Sequence, residues 1–244
     1  MPSTEQLRQL MREAGNDPGK EVQVWKAMCD TVLYVHMPLK EKPGSLLFHQ
    51  FVRPDDGRTV LPVFTDRDQA THAAGTAVRV MPMLGRHIFQ FTLDATIMLD
   101  PNEIDCLLYP EEIALFLKQS PVVSATTWQA TADRKLKSAK PADDVPQPIV
   151  HALKEMALSL PFVDKMYLSY FHWHRQEQKC LVIACVAAPT EDEHAVRALV
   201  AALQPHTNKF RCPIDIATLK PCDTEHPSVK NGRCIYTRSN AAST

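Results

Sequence analysis

Residues Thr59–Ala70 read TVLPVFTDRDQA, and the change of pattern inside that stretch decides the fold. Thr59 to Thr65 is β-branched and apolar, the composition of a strand. Thr65 then opens a short helix, with Asp68 three residues later and acidic groups where a helix N-terminus favours negative charge. A strand that runs directly into a helix belongs to a layered α/β or α+β protein. Upstream, Leu46 to Val52 is a second apolar run. The PDDG between them (Pro54–Gly57) has Asp-Gly turn chemistry, so an antiparallel hairpin is expected.

Reading outward, Ser3 and Gln6 have capping-box spacing ahead of Leu7, Leu10 and Met11, which share a helical face. Asp17-Pro18 reads as an N-cap followed by a first-turn proline. Val22, Trp25, Cys29 and Val32 then recur at helical spacing, and Thr31 to Val35 reads as a strand stopped by Pro38. Beyond the deciding stretch, Ala77 to Met81 is a strand and Leu84 to Phe91 a helix. Ala95 to Leu99 is a strand ending at Asp100-Pro101, and Glu111 to Lys118 a helix after Pro110.

Residues Gln119 to Gln147 are rich in Ser, Thr, Ala, Lys and Pro and carry little apolar periodicity. A structureless stretch of that length inside one domain is uncommon, so it reads as a linker. After it, Ile149, Val150, Leu153, Met156, Ala157 and Leu160 mark an amphipathic helix. Phe162 to Trp173 alternates as a strand, and Lys179 to Ala187 is a strongly apolar strand joined to it by a hairpin. Thr190 and Glu193 form a second capping-box spacing before a helix with Val196, Leu199, Val200 and Leu203 inward. Ile214 to Leu219 is a further strand. The expectation is an α/β (α+β) protein of two small mixed-sheet domains, 1–118 and 147–244, joined by a linker at 119–146. The second domain runs α-β-β-α-β with a tail.

Composition bounds the function classes. The 244 residues are 45% hydrophobic and 23% charged, with a formal net charge of −1. That is ordinary globular composition without the basic excess of a nucleic-acid binder. The cluster Arg134, Lys135, Lys137 and Lys140 is followed by Asp143 and Asp144 and reads as a solvated linker. No apolar run approaches the roughly 18 residues of a membrane span. The N-terminus lacks a signal-peptide pattern, so a cytoplasmic location is expected. Seven cysteines (Cys29, Cys106, Cys180, Cys185, Cys212, Cys222 and Cys234) occur without a CxxC pair, which fits free thiols in a reducing compartment. Neither GxGxxG nor GxxxxGK[ST] is present, and no cofactor is expected.

Several segments together carry a family likeness. EQLRQLMREAGNDPGKEVQVWKAMCDTVLYVHMP (Glu5–Pro38), VLPVFTDRDQA (Val60–Ala70), IMLDPNEI (Ile97–Ile104) and PEEIALFL (Pro110–Leu117) resemble the N-terminal domain of the SseB, or enhanced serine sensitivity, family. PQPIVHALKEMALSLPFVDKMYLSY (Pro146–Tyr170) onward is similar to the C-terminal domain of that family. Asp100 stands where the family usually has Asn before Pro, and Cys234-Ile235 stands for Pro-Phe near the end. The resemblance brings no catalytic residues; the family name comes from a phenotype, altered serine tolerance. It implies a bacterial, non-enzymatic protein that binds another protein, of which an immunity or adaptor protein acting on a toxin is one version. An enzyme or sensor in serine or sulfur amino-acid metabolism is the alternative.

Individual residues offer few chemical candidates. Asp66, Arg67 and Asp68 stand at a strand-to-helix junction, where capping competes with a partner or ligand contact. Asp100 reads as a turn-former or as part of such a contact. Trp128, in the polar segment TTWQA, reads as an anchor for a partner or for its own domain. His172 and His174 share one side of a strand and form a candidate metal pair, for which Cys180 or Cys185 would supply a further ligand. Cys212, between Arg211 and Pro213, is the least core-like thiol and the candidate reactive cysteine.

Overall fold

In a computed structural model the chain divides into two units, Met1–Ser124 and Ala125–Thr244. The structure describes residues 3–15, 17, 20–40, 46–76, 78–103, 106–118, 136–173, 179–210 and 212–238.

In the first unit the Ser3–Gln6 capping box forms as its spacing predicts, the Ser3 hydroxyl accepting from the Gln6 N–H and the Gln6 side chain accepting from the Ser3 N–H. It opens α1 (Thr4–Ala14), which buries Leu7. The next helix, α2 (Glu21–Asp30), follows a turn in which the Lys20 N–H donates to the Asp17 carbonyl, its N-cap Lys20 makes no side-chain bond, and Pro18 lies outside the described residues. Trp25, Met28 and Cys29 point inward, whereas Val22 is exposed. The strands are β1 (Val32–Pro38), β2 (Phe51–Val52), β3 (Thr59–Phe64), β4 (Val78–Leu84), β5 (Ile97–Leu99) and β6 (Cys106–Leu108). They form one mixed sheet in the order β4-β1-β3-β5-β6, with β2 paired antiparallel to the start of β3 around the expected hairpin turn, where Gly57 has φ 71°. β3 and β5 are parallel neighbours. The remaining helices are α3 (Arg67–Ala74), α4 (Gly85–Phe91) and α5 (Pro110–Leu117).

Alternation along the strands divides this sheet into two faces. Leu33, Val35, Leu61, Val63, Ile97 and Leu99 point to a core shared with α1, α2, α4 and α5. Trp25 stacks on Phe116 of α5 there. Gly85 permits the tight join of α4 to the end of α2: its N–H donates to the Thr31 carbonyl, and a Cβ would lie 2.0 Å from the Met28 carbonyl oxygen. The second face, carrying His36, Val60, Pro62, Phe64 and Met98, receives α3, which packs on β4, β1 and β3. α3 has 8 residues and spans about 12 Å, whereas five strands at roughly 4.8 Å spacing are about 19 Å wide. One short helix therefore covers part of that face, and Phe51 of β2 packs over Val60 and Met98 on another part.

The second unit departs from the expected α-β-β-α-β plus tail by gaining a strand at each end. Residues 136–146, read in the sequence as linker, contribute β7 (Leu136–Pro141) and the core residues Ala142 and Val145. The tail contributes α8 (Pro227–Asn231) and β11 (Arg233–Thr237). Between them lie α6 (Gln147–Ser159), β8 (Val163–Trp173), β9 (Cys180–Ala187), α7 (Asp192–Leu203) and β10 (Ile214–Leu219). One edge of β8 pairs with β9. Its other edge is shared, with β11 on Lys165–Leu168 and β7 on Ser169–Trp173. β10 adds parallel to β9. The expected Thr190–Glu193 cap does not start α7: Pro189 opens a 3-10 turn through Glu191, so the helix begins at Asp192 without a side-chain cap.

α6 and α7 bury Ile149, Leu153, Leu168, Ile183, Cys185 and Leu199 on one face. Arg238 closes the C-terminal end of α6, donating to the carbonyls of Val163 (2.9 Å), Leu160 (2.5 Å) and Ala157 (3.4 Å). These include carbonyls that a helix end leaves without intrahelical partners. No described helix is long and apolar enough to cross a membrane.

Candidate functional site

On the second face of the first unit's sheet, between α3 and the hairpin segment, lies a cleft of about 450 Å³. Its floor is Pro62 and Phe64 of β3, Met98 of β5 and His36 of β1. Ala73 of α3 lies on its lining, as do His49, Phe51, Arg53, Pro54 and Asp55 of the hairpin segment and Pro101-Asn102 after β5. The segment reaches the floor because the His49 N–H donates to the His36 carbonyl at 2.8 Å and Phe51 pairs with Val60. Leu39, Leu46, Leu47 and Val52 each lie within three residues of a lining residue, and all are 43–62% exposed.

His36 is 5% exposed, and its ring lies 4.9 Å from that of Phe64. Its Nε2 is 2.8 Å from the Ala70 carbonyl. A carbonyl only accepts, so Nε2 carries the proton and Nδ1 is a bare acceptor. Nδ1 has no hydrogen-bond partner among the described residues and retains solvent access at the cleft. Burial pushes the imidazole below its ordinary value; the Ala70 bond opposes this and nearby His49 reinforces it. The ring is therefore neutral at pH 7. At the rim, Arg53 is already engaged by Asp55 and Asp56, so the cleft carries little uncompensated charge.

The carboxyl ends of parallel strands β3 and β5 are tied together beside the cleft. Asp100 is fully buried and adopts φ 45°, a conformation Asp tolerates better than most residues. Its carboxylate accepts from the Thr65 N–H at 2.7 Å and from the Thr65 hydroxyl at 2.6 Å. The Thr65 hydroxyl in turn accepts from Arg8 Nε at 2.8 Å, and Arg8 Nη2 pairs with Glu103 at 2.9 Å. Burial raises the Asp100 carboxyl above its usual range, while the Thr65 bonds and the Arg8 charge pull it back. The network sets the position from which Pro101 and Asn102 enter the cleft lining.

Of the residues singled out in the sequence, Asp100 has this junction role. Asp66, rather than Thr65, is the N-cap of α3, accepting from the Gln69 N–H at 2.9 Å, because Thr65 is held by Asp100. Arg67 and Asp68 are exposed on the first turn of α3. Trp128 and His174 lie outside the described residues. His172 is on β8, on the face of Tyr170; Cys180 pairs with Phe171 and so occupies the opposite face, while Cys185 pairs with Met166 far along the strand. No group of three metal-ligating side chains occurs among the described residues. Cys212 is half-buried against the second core, and burial pushes the Cys185 thiol up to about 12. Sequence reasoning missed His36, whose only signal was a histidine inside an apolar strand. It also missed the Thr65–Asp100 pairing, which joins residues from two strands.

Residues 7–115 match the family model described as SseB protein N-terminal domain. The match coincides with the unit that carries the cleft and does not reach the second unit. No curated protein and no solved structure matches the chain.

Proposed function

We propose, from the premise that the first unit matches an SseB N-terminal domain, that the chain is a non-enzymatic binding protein that contacts another protein at the cleft of that unit. The observation that carries this reading is the cleft itself: an apolar floor of Pro62, Phe64 and Met98 beneath a hairpin segment whose nearby residues Leu46 and Leu47 are exposed. Exposed apolar surface beside a concave site is characteristic of interaction surfaces. The described lining has no serine, threonine, cysteine or lysine to act as a nucleophile, and its one carboxylate, Asp55, is held by Arg53. Besides His36 and His49 the lining brings no reactive group, which supports recognition.

The test is a tagged pull-down from the native host, comparing wild type with the double substitution His49→Asp and Asn102→Asp at the cleft lining. Both side chains are solvent-exposed, so the fold tolerates the change. A near-stoichiometric protein captured by wild type and lost from the variant supports the reading. Equal capture by both moves the contact elsewhere. The identity of the captured protein separates an immunity or adaptor role against a toxin from a regulatory one.

The cleft volume also falls within the range of small-ligand sites, which favours as second reading a sensor of serine or a sulfur amino acid. Thermal stability across amino acids and thiols tests it. A ligand at about 100 times its dissociation constant stabilises by roughly 2.7 kcal/mol, and a flat response across the panel removes this reading.

A further inference from the structure

We propose that the cleft is an anchor pocket for one tyrosine side chain of the bound protein, whose phenolic O–H donates to Nδ1 of His36. The proposal rests on the protein-binding reading above and adds the chemistry of the contact. His36 is nine-tenths buried, its tautomer is fixed by Ala70, and its second nitrogen is an acceptor without a partner among the described residues. That nitrogen is not among the buried unsatisfied atoms, so it keeps the access a donor entering the cleft needs.

The surroundings select the donor. Phe51, Phe64, Met98 and Pro62 make the floor apolar and partly aromatic, which suits an aromatic ring packed edge to face. An ammonium group would need a counter-ion, and Asp55 is already engaged by Arg53. A carboxylate brings no proton at neutral pH and would meet a lone pair. A serine or threonine hydroxyl is too short to reach a floor atom while burying apolar surface. Tyrosine carries its donor at the far end of the ring, so the polar atom enters deepest, whereas the indole N–H lies on the side of its ring. Tyrosine is also among the residues that dominate interface energetics.

The experiment uses the full chain and three probes: N-acetyl-tyrosinamide, N-acetyl-phenylalaninamide and N-acetyl-tryptophanamide. Binding is followed by NMR of the chain labelled with 15N-histidine. The tyrosine probe is expected to bind about fivefold tighter than the phenylalanine probe, the worth of one hydrogen bond, and to shift the His36 Nδ1 resonance. Protonating His36 at low pH converts Nδ1 into a donor and abolishes the preference. His36→Phe equalises the two probes, and Asn102→Trp, at an exposed lining position, blocks both without touching the histidine. Equal affinities in wild type, an unmoved Nδ1 resonance or tighter binding of the tryptophan probe overturns the tyrosine assignment. Because those readouts come from wild type, they stand even if His36→Phe fails to fold. A captured partner that is retained by both variants overturns the pocket assignment and leaves the protein-binding reading intact. Tyrosine selectivity with no captured partner overturns that reading and assigns the pocket to a free aromatic ligand.

Discussion

The second faces of the two sheets solve the same problem differently. Each is served by one short helix, α3 in the first unit and α8 in the second, and each carries a histidine that burial holds below its ordinary value. In the second unit the serine hydroxyls pair with one another and one ring nitrogen of the histidine is bonded within its own turn. His226 Nδ1 accepts the Ser228 N–H at 3.2 Å, and the buried Ser169 hydroxyl donates to the buried Ser228 hydroxyl at 3.0 Å. Gly232 lets the backbone close over them, since a Cβ there would meet the Ser228 carbonyl oxygen at 2.1 Å. Tyr167, Ala184, Val186 and Leu219 pack beneath with Val229 of α8. In the first unit one nitrogen of His36 is bonded and the other opens on a cleft. The serine pair closes the second unit's face as structure, and the acceptor at the first unit's cleft is the one the tyrosine proposal uses.

The contrast breaks most forcefully at Gly232. Gly232→Ala drives a methyl group into the Ser228 carbonyl and is expected to cost roughly 3 kcal/mol or more. Hydrogen exchange should show the loss in the second unit while the first keeps its protection. Ser228→Ala is milder: it leaves the Ser169 hydroxyl buried without its acceptor and should cost about 1–2 kcal/mol in urea unfolding. The double substitution Ser169→Ala with Ser228→Ala recovers most of that. If the single and double variants are equally destabilised, the pair is not what seals the face.

A pH series sharpens the histidine comparison. Burial depresses the folded value of His226, with the field of Asp223 opposing it, so the native state resists protonation there. Its contribution to stability is complete above about pH 6.5, the unfolded value, and is lost as pH falls through 6.5 towards the folded value. His226→Asn retains a side-chain acceptor for the Ser228 N–H and removes the titration, so the second unit should lose less stability on acidification than wild type. An unchanged pH profile would exclude His226 as a source of the slope. The smallest expected effect is at Asp100, with the opposite sign. Its folded value is raised, so its charge costs stability at neutral pH and the cost disappears as pH falls towards the ordinary carboxylate range near 4. Asp100→Asn should therefore gain on wild type as pH rises from about 4 to 7. A loss that grows with pH would mean that the Thr65 bonds outweigh the burial.

Much of the fold was legible because it is local. The strand-to-helix change around Thr65, the hairpin turn at Gly57, the Ser3 capping box and the alternation of β8 all follow from neighbours within a few residues. The errors fall where a distant partner competes. Thr65 has the spacing of a cap but is taken by Asp100, so Asp66 caps α3 in its place. Residues 136–141 lack an apolar pattern, yet they pair along the free edge of β8, and a backbone ladder needs no side-chain signal. The tail joins the same edge, and Arg238 finds the end of α6 from 78 residues away in sequence.

The sequence by itself determined the class of protein, two mixed-sheet units, and the likeness of the first to the SseB N-terminal domain, because periodicity and turn chemistry are properties of short windows. Tertiary structure alone decided which ring nitrogen each histidine commits. His36 and His226 look alike as letters. What separates them is the partner each finds, the Ala70 carbonyl at Nε2 of His36 and the Ser228 N–H at Nδ1 of His226, and that is set by the helix packed against each.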